Sequence, residues 1–370
     1  MPPFWYSLVF QIFSFVLGAM IGSFLNVCIY RMPRDMAVNQ PKRSFCPTCK
    51  TQIKWYHNLP IISWLWLRGK CAYCDAPISP RYLGVEFLTG CLFLAIYFRL
   101  EPLFSLPLLL PYWILAALLI VATFIDFDFF IIPDEITWGG VGAGIILSGL
   151  LPEMMGTNSR LESLGWSVCG AATGYFLLWG VVELGKLAFG RKKLTFPAGT
   201  KFDVKQVDDQ PVLTVGEESM PWVDLFARES DRMILSVEKV VVDGKKQATK
   251  ELVFFHDRLE IGTEKFPLAD LDLISGEVSQ IVIPREAMGF GDVKFIAAIG
   301  AFLGWQAVLF TVPVAAFCGS IIGVGSMLIG RREWSGKIPF GPYLALGGLV
   351  WMFTGPELVR WYVGLLGRAY

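Results

Sequence analysis

Four cysteines stand in two Cys-x-x-Cys pairs, "CPTC" (Cys46, Cys49) and "CAYC" (Cys71, Cys74), separated by 21 residues. Each pair can wrap one edge of a tetrahedral ion while the intervening chain closes the knuckle, the pattern of a four-thiolate structural zinc site. Such a ligand set leaves no open position on the metal, so the ion would brace the chain and not act on a substrate. Disulfide pairing of the same residues is the rival reading, and it needs an oxidising compartment. The other cysteines, Cys28, Cys91, Cys169 and Cys318, lie inside apolar stretches and read as small buried hydrophobes.

Two aspartates pose a second question. Asp126 follows "PYWILAALLIVATFI", and Asp292, in "MGFGDVK", precedes the uncharged run "FIAAIGAFLGW". A carboxylate at the edge of so apolar a segment is costly unless it is paired or put to use. Brought together, two carboxylates would share one proton, one as acid and one as base, and could activate a water against a peptide bond. Gly289 and Gly291 would let backbone approach a substrate closely and adopt dihedrals closed to other residues. A plainer role is open to both aspartates, in headgroup water or at a helix N-terminus. Asp128, Asp134 and Lys294 read as supporting, with Asp134 capping a helix that starts after Pro133.

The elements that must position these residues are membrane spans. Hydrophobic residues make up 54% of the 370-residue chain and charged residues 17%, against about 25% charged in an ordinary soluble domain. A span takes roughly 17–25 mostly apolar helical residues. Eight candidates emerge at about 7–29, 82–100, 107–125, 136–151, 165–189, 293–310, 312–330 and 340–365, the sixth and seventh divided where Pro313 could end a helix. Gly18–Gly22, Gly170–Gly174 and Gly319–Gly323 have the spacing that suits close helix packing in lipid. The net charge of zero points to no acidic or basic partner, but its distribution is informative. The first span has no basic residue before it, whereas segment 31–81 carries nine Lys and Arg. By the positive-inside rule the first span is a retained anchor with its N terminus outside, and 31–81, 126–135, 190–292 and 331–339 face the cytoplasm. Asp126 and Asp292 would then emerge on the same face.

The expected organisation is a first transmembrane helix (1–30), a zinc-binding block (31–81), helices two to five with the first aspartate (82–189), an inserted domain (190–284), and the Asp292 motif with helices six to eight (285–370). In the insertion, "VLTV", "MILSVEKVVVDGKK" and "ELVFFHDRLEIG" are rich in β-branched and aromatic residues and punctuated by turn signals such as Asp243–Gly244, which predicts short antiparallel strands. The fold class is therefore an all-α polytopic membrane protein with a cytoplasmic zinc knuckle and an inserted β-rich domain.

"GSFLNVCIYRMP" (22–33), the paired cysteines, "ISPRYLGVEFLTG" (78–90), "IDFDFFIIPDEIT" and "GFGDVK" occur in the order seen in type IV prepilin leader peptidases, which the chain resembles over about 10–190 and 285–350. That resemblance implies a bacterial inner-membrane aspartic protease of the GxGD class. Its members remove the basic leader from prepilins and type II secretion pseudopilins. Many also methylate the new N-terminal amine with S-adenosylmethionine. The family's catalytic pair falls on Asp126 and Asp292, and its cysteine tetrad on Cys46, Cys49, Cys71 and Cys74. The chain departs from the family at Ala287, where a further glycine is common, and in the length of its 190–284 insertion, which could gate the site, recognise a pilin, dock assembly proteins or simply brace the membrane bundle. No residue is identified for S-adenosylmethionine, because no glycine-rich nucleotide loop is present; Glu86 could contact the leader or a cofactor, but an ordinary helix-end charge is the plainer reading. The alternatives are a GxGD protease for another membrane substrate without methyl transfer, and a non-catalytic membrane scaffold.

Overall fold

The computed structural model describes residues 4–41, 43–100, 106–189, 191–197, 199–207, 210–226, 232–262, 264–284, 288–328 and 338–366. Ala287, Arg331–Arg332 and the 101–105 connection lie outside these. The chain divides into two units, 1–179 with 289–370, and 180–288.

The first unit is helical. Long apolar runs without internal proline form α1 (Phe4–Arg31) and, after the short α2 (Ile62–Trp66), α3 (Pro80–Leu100), whose first residue is a proline where no intrahelical N–H is needed. Next come α4 (Leu109–Phe129) and α5 (Asp134–Leu150), and then α6 (Arg160–Phe189); the short α7 (Trp222–Leu225) belongs to the second unit. Helix α4 stops because Phe130 turns left-handed (φ 57°) and returns its N–H to the carbonyl of Asp126. Five segments among the described residues are long and apolar enough to cross a membrane: Ser7–Arg34, Pro80–Leu100, Leu106–Phe129, Arg160–Gly185 and Phe290–Ser326.

The last of these corrects the expected division at Pro313. Helix α8 (Phe290–Leu328) carries Pro313 inside it, and its backbone leaves helical geometry at Gly304 (φ 80°, ψ 172°). Only glycine enters that region without a steric penalty, so the break falls nine residues before the proline. Helix α9 (Gly341–Leu366) closes the unit.

Small residues set the helix contacts. A Cβ on Gly18 would lie 2.7 Å from the carbonyl oxygen of Thr89, and one on Gly22 would lie 2.8 Å from Cα of Glu86, so α1 meets α3 backbone to backbone. On α6, Gly174 abuts the carbonyl of Ile296 and Gly170 that of Gly300, which seats α6 against the first half of α8. The buried stripe of α4 (Leu115, Ala116, Leu119, Ala122, Ile125) packs inward. Val9, Ile12, Phe13, Val16 and Met20 leave an apolar face of α1 exposed, as lipid contact requires.

The second unit is a ten-stranded antiparallel sheet. Its strands are β1 (Arg191–Thr195), β2 (Lys201–Val207), β3 (Gln210–Val215), β4 (Glu218–Pro221), β5 (Met233–Val242), β6 (Lys245–Gln247), β7 (Glu251–Phe254), β8 (Arg258–Ile261), β9 (Glu264–Pro267) and β10 (Leu273–Pro284). They run in the order β4-β3-β2-β10-β5-β7-β8-β9, with β1 on β10 and β6 on β5. Asp243 (φ 45°) and Gly244 (φ 78°) make the two-residue turn between β5 and β6. Leu213, Met233, Leu235, Leu252, Phe254 and Leu259 form a fully enclosed core, with the indole of Trp222 donating to the carbonyl of His256 at 3.1 Å.

The α1–α3 contact yields a paired test. Gly22→Ala should destabilise the protein by about 1–3 kcal/mol through overpacking. Gly84→Ala, where a Cβ meets nothing within 4 Å, should stabilise α3 by about 0.5–1 kcal/mol. Thermal unfolding in detergent measures both.

Candidate active site and cysteine cluster

Three chain segments converge on the carboxylates. Asp126 lies in the last turn of α4, 5% exposed, and its Oδ2 accepts the backbone N–H of Gly341 at 2.8 Å. Gly341 opens α9, so the carboxylate also faces the partial positive charge of a helix N-terminus. Asp292 lies in the first turn of α8, 7% exposed, and its buried Oδ1 has no hydrogen-bond partner. Ile132 joins the two: a Cβ on Gly291 would lie 3.3 Å from the Cβ of Ile132, and one on Gly341 would lie 3.0 Å from its Cδ1. The structure thus sets Asp292 and Gly341, the partner of Asp126, around one residue, Ile132.

The flanking glycines act through space and not through backbone freedom, which corrects half of their expected role. Neither Gly289 nor Gly291 has a positive φ. Gly291 admits Ile132, and a Cβ on Gly289 would rest 3.6 Å from Oδ2 of Asp292. Asp134 also differs from expectation. Pro133 is the N-cap of α5 and no side-chain cap bond forms; instead Asp134 Oδ1 accepts from Lys294 Nζ at 2.6 Å, tying the start of α5 to that of α8. Asp128 accepts from Arg81 at 2.5 Å, while the same guanidinium reaches the carbonyl of Phe124 at 3.0 Å.

Gly341 and Ile132 were not anticipated. The only local signal for Gly341 is a Gly-Pro step opening an apolar helix, and Ile132 has none. Glu86 is not an exposed helix-end charge either. It is buried, and its Oε2 accepts the backbone N–H of Ile61 at 2.7 Å.

The four cysteines close into one cluster, their Sγ atoms all within 4.8 Å of one another. Each pair makes the same turn. The residue after the second cysteine, Lys50 (φ 58°) or Asp75 (φ 56°), is left-handed and returns its N–H to the first cysteine's carbonyl, at 2.9 and 3.0 Å. A tetrahedral ion with metal–sulfur bonds of about 2.3 Å has sulfur–sulfur edges of about 3.8 Å. Cys46 and Cys74 Sγ are 3.8 Å apart, which fits that edge and is far beyond a disulfide bond. Ionisation is uneven across the cluster. Hydrogen bonds from the Thr51 side chain and backbone draw the Cys49 thiol down to about 6. Despite the backbone hydrogen bond at Ala76, Cys74 is pushed up to about 12 by lost solvation and by the other three thiols. Four thiolates this close repel one another, and a divalent cation among them removes that penalty.

A bundle of apolar helices with a buried acid pair at one end and a four-cysteine block beside it defines a polytopic membrane protein with a candidate hydrolytic centre. The family model of the bacterial peptidase A24 N-terminal domain matches residues 16–100, and that of the type IV leader peptidase family matches 113–225 and 259–324. The chain is 32% identical to a prepilin leader peptidase/N-methyltransferase of Myxococcus xanthus, with 97% of this chain and 94% of the relative covered. A protein of the same name from Aeromonas hydrophila is 30% identical (98% and 95% covered), and one from Pseudomonas aeruginosa 25% (98% and 96%). The chain belongs to the type IV leader peptidase family. No solved structure matches it.

Arg31 ties the cysteine block to α1. It is 3% exposed and donates to the carbonyls of Ala37, Val38 and Pro41 at 3.4, 2.7 and 3.0 Å. Arg31→Met should cost at least about 2 kcal/mol, since charged hydrogen bonds contribute about 1.5–3 kcal/mol each and the carbonyls are left unmet. Unfolding in detergent checks this.

Proposed function

We propose that the chain is a membrane-embedded aspartic endopeptidase that removes the leader peptide from type IV prepilins or type II secretion pseudopilins and N-methylates the new N terminus. The relatives' printed names support both activities. The observation that carries the peptidase half is the unlike surroundings of two adjoining buried carboxylates: Asp126 faces a backbone N–H, and Oδ1 of Asp292 faces no partner.

Those surroundings suit different protonation roles. Asp126 is the better placed to hold negative charge and take a proton from water. Asp292 is the better placed to hold the shared proton and donate it toward the scissile carbonyl. The water oxygen bonds to the carbonyl carbon as its proton passes to Asp126. The C–N bond then breaks as that proton moves to the leaving amine. Lys294 and Asp134 hold the starts of α8 and α5 together beside the pair, and Gly289 and Gly291 keep the approach open.

In this reading the protein is a multi-pass bacterial inner-membrane enzyme of about eight spans, its N terminus outside and its acid pair at the cytoplasmic boundary. A prepilin would insert its apolar helix in the bilayer and present its basic leader there. The cysteine cluster would hold structural zinc, an assignment its donor set and spacing support. The 190–284 insertion would serve docking, to the pilin or to assembly proteins, with the chemistry left to the helical unit.

Asp126→Asn and Asp292→Asn should each reduce leader removal from a purified prepilin by about 10²–10⁴-fold, the usual contribution of a positioned acid or base, while the protein stays folded and inserted. Unchanged cleavage would place the chemistry on other groups, and a wild type that cleaves nothing would leave a scaffold as the reading. Gly341→Ala puts a Cβ 2.8 Å from Oδ2 of Asp126, and a displaced carboxylate should cost about 10²-fold in kcat. The control Gly348→Ala has its nearest neighbour at 3.5 Å and should leave cleavage unaltered. Cys71→Ser should lose bound zinc, read by metal analysis of reduced protein. Replacing 195–280 with a short linker should spare cleavage of an unstructured leader peptide.

A further inference from the structure

The cysteine block carries an apolar surface that its own folding does not use. In the short helix α2 the inner positions are Ser63 and Trp64. Ser63 Oγ accepts the N–H of Leu59 at 2.9 Å and donates to the carbonyl of Tyr56 at 3.1 Å, and the indole of Trp64 donates to the carbonyl of Ile78 at 3.2 Å. Ile62, Leu65 and Trp66, at the i, i+3, i+4 spacing of one helix face, are left exposed, and so is Leu59 just before them. Trp55 lies in the turn Trp55–His57, which Ser63 ties to α2, and the indoles of Trp55 and Trp66 are 75% and 74% open. An uncovered apolar surface of this kind marks a contact with lipid or with protein.

Its depth favours lipid. Both ends of the block are rooted in membrane spans, Ser7–Arg34 and Pro80–Leu100. Ile61, immediately before α2, donates its N–H to Oε2 of Glu86 at 2.7 Å. Glu86 stands six residues into α3, about 9 Å along the axis from Pro80 at 1.5 Å per residue. The next residues of that span, Phe87 and Leu88, are exposed as lipid contact requires. The start of α2 is thus within one side chain's length of the lipid-facing part of α3. Ile61 holds a φ of 64° there, a costly conformation for a β-branched residue.

Charge decides between lipid and leader peptide. Segment 36–74 holds six Lys and Arg and no Asp or Glu, and Lys50, Lys54, Arg68 and Lys70 are all exposed. A four-thiolate site around a divalent ion would subtract only two charges, so the segment stays basic. Such a surface repels a basic leader and attracts the phosphates of anionic lipids. Tryptophan beside Lys and Arg is also the make-up of a chain that lies in the headgroup layer.

We infer that α2 and Trp55 form an interfacial foot that seats the cysteine block on an anionic phospholipid surface, that of the bilayer crossed by α1 and α3. Leu59, Ile62, Leu65 and Trp66 enter the headgroup–acyl boundary, and Lys54, Arg68 and Lys70 meet the phosphates. The foot also bears on the acid pair's surroundings. Arg34 and Arg81 stand at the two roots of the block; Arg34 packs over Phe129 at 5.0 Å, and Arg81 bonds Asp128 and the carbonyl of Phe124. All three partners belong to the end of α4 that carries Asp126, so lipid contact at the foot is linked to the position of that helix end.

The test uses the full-length, zinc-replete protein in nanodiscs of mixed phosphatidylcholine and phosphatidylglycerol. Photoreactive p-benzoylphenylalanine replaces Leu65 or Trp66, or Met20 as an exposed reference on α1, and the adducts are identified by mass. Lipid adducts at 65 and 66 in a yield comparable to that at 20, and at least threefold richer in phosphatidylglycerol, support the foot. Lys54→Gln combined with Arg68→Gln should erase that enrichment, since each basic group near an anionic surface contributes about fivefold. No lipid adducts at 65 and 66, or a phosphatidylglycerol share no higher than at 20, overturns it. Adducts that move from lipid to an added prepilin make the patch a substrate surface and overturn it too. Where a substituted protein loses zinc, hydrogen exchange of wild type decides. Amides of 59–67 exchanging at least threefold more slowly in discs with phosphatidylglycerol than in discs without it support the foot, and equal rates overturn it.

Discussion

Everything at the candidate centre depends on two carboxylates being buried side by side with almost nothing to offset their charge. A single backbone N–H from Gly341 meets one of them, and an oxygen of the other meets no partner at all. Burying two such groups without a counter-charge carries a high cost. The surrounding architecture serves that pairing. Helix α4 ends where it does because Phe130 turns left-handed, Gly291 lets Ile132 sit between the two helix ends, and the Gly341 position leaves room for the carboxylate only because it lacks a side chain.

The cysteine cluster answers a related problem by the opposite means. Four thiols are gathered at distances that suit a dication, each pair on the same kind of turn. Where the acid pair leaves its charge unmet, the thiol cluster calls for a metal to meet it. Arg31 and Glu86 carry the same logic into the adjoining loops. One buried charge is spread over backbone carbonyls, the other over neutral donors. The sheet unit, in contrast, is held by an apolar core without buried ionic pairs among its described residues.

Much of this was readable in the chain because it is written in short segments. The cysteine pairs, the two aspartates and the helices flanking them depend on composition over a few residues to a few turns, and so do β5 and its turn at Asp243–Gly244. What escaped was decided by partners far away in sequence. Gly341 matters through an oxygen 215 positions earlier, and Asp134 through Lys294, 160 positions later. Glu86 looked like a helix-end charge until Ile61 folded over it. The break in α8 was misplaced for a different reason. Proline is the louder local signal, yet a proline can remain within a helix whose freed carbonyl finds other partners, whereas a φ of 80° at Gly304 cannot. The strand order around β10 was equally beyond reach, since it pairs with β1, β2 and β5 across long stretches of chain.

The interruption at Gly304 also divides labour along α8. Residues 290–303 carry Asp292 and are seated by the Ile296 and Gly300 contacts with α6; residues 305–328 lie past the break. Bilayers differ in thickness by a few ångströms, and helices adjust by tilting. Held to α6 before the joint and to α9 after it, where a Cβ on Gly347 would lie 2.9 Å from the carbonyl oxygen of Thr311, α8 can tilt only together with its neighbours, and the bundle must meet such a difference as one body.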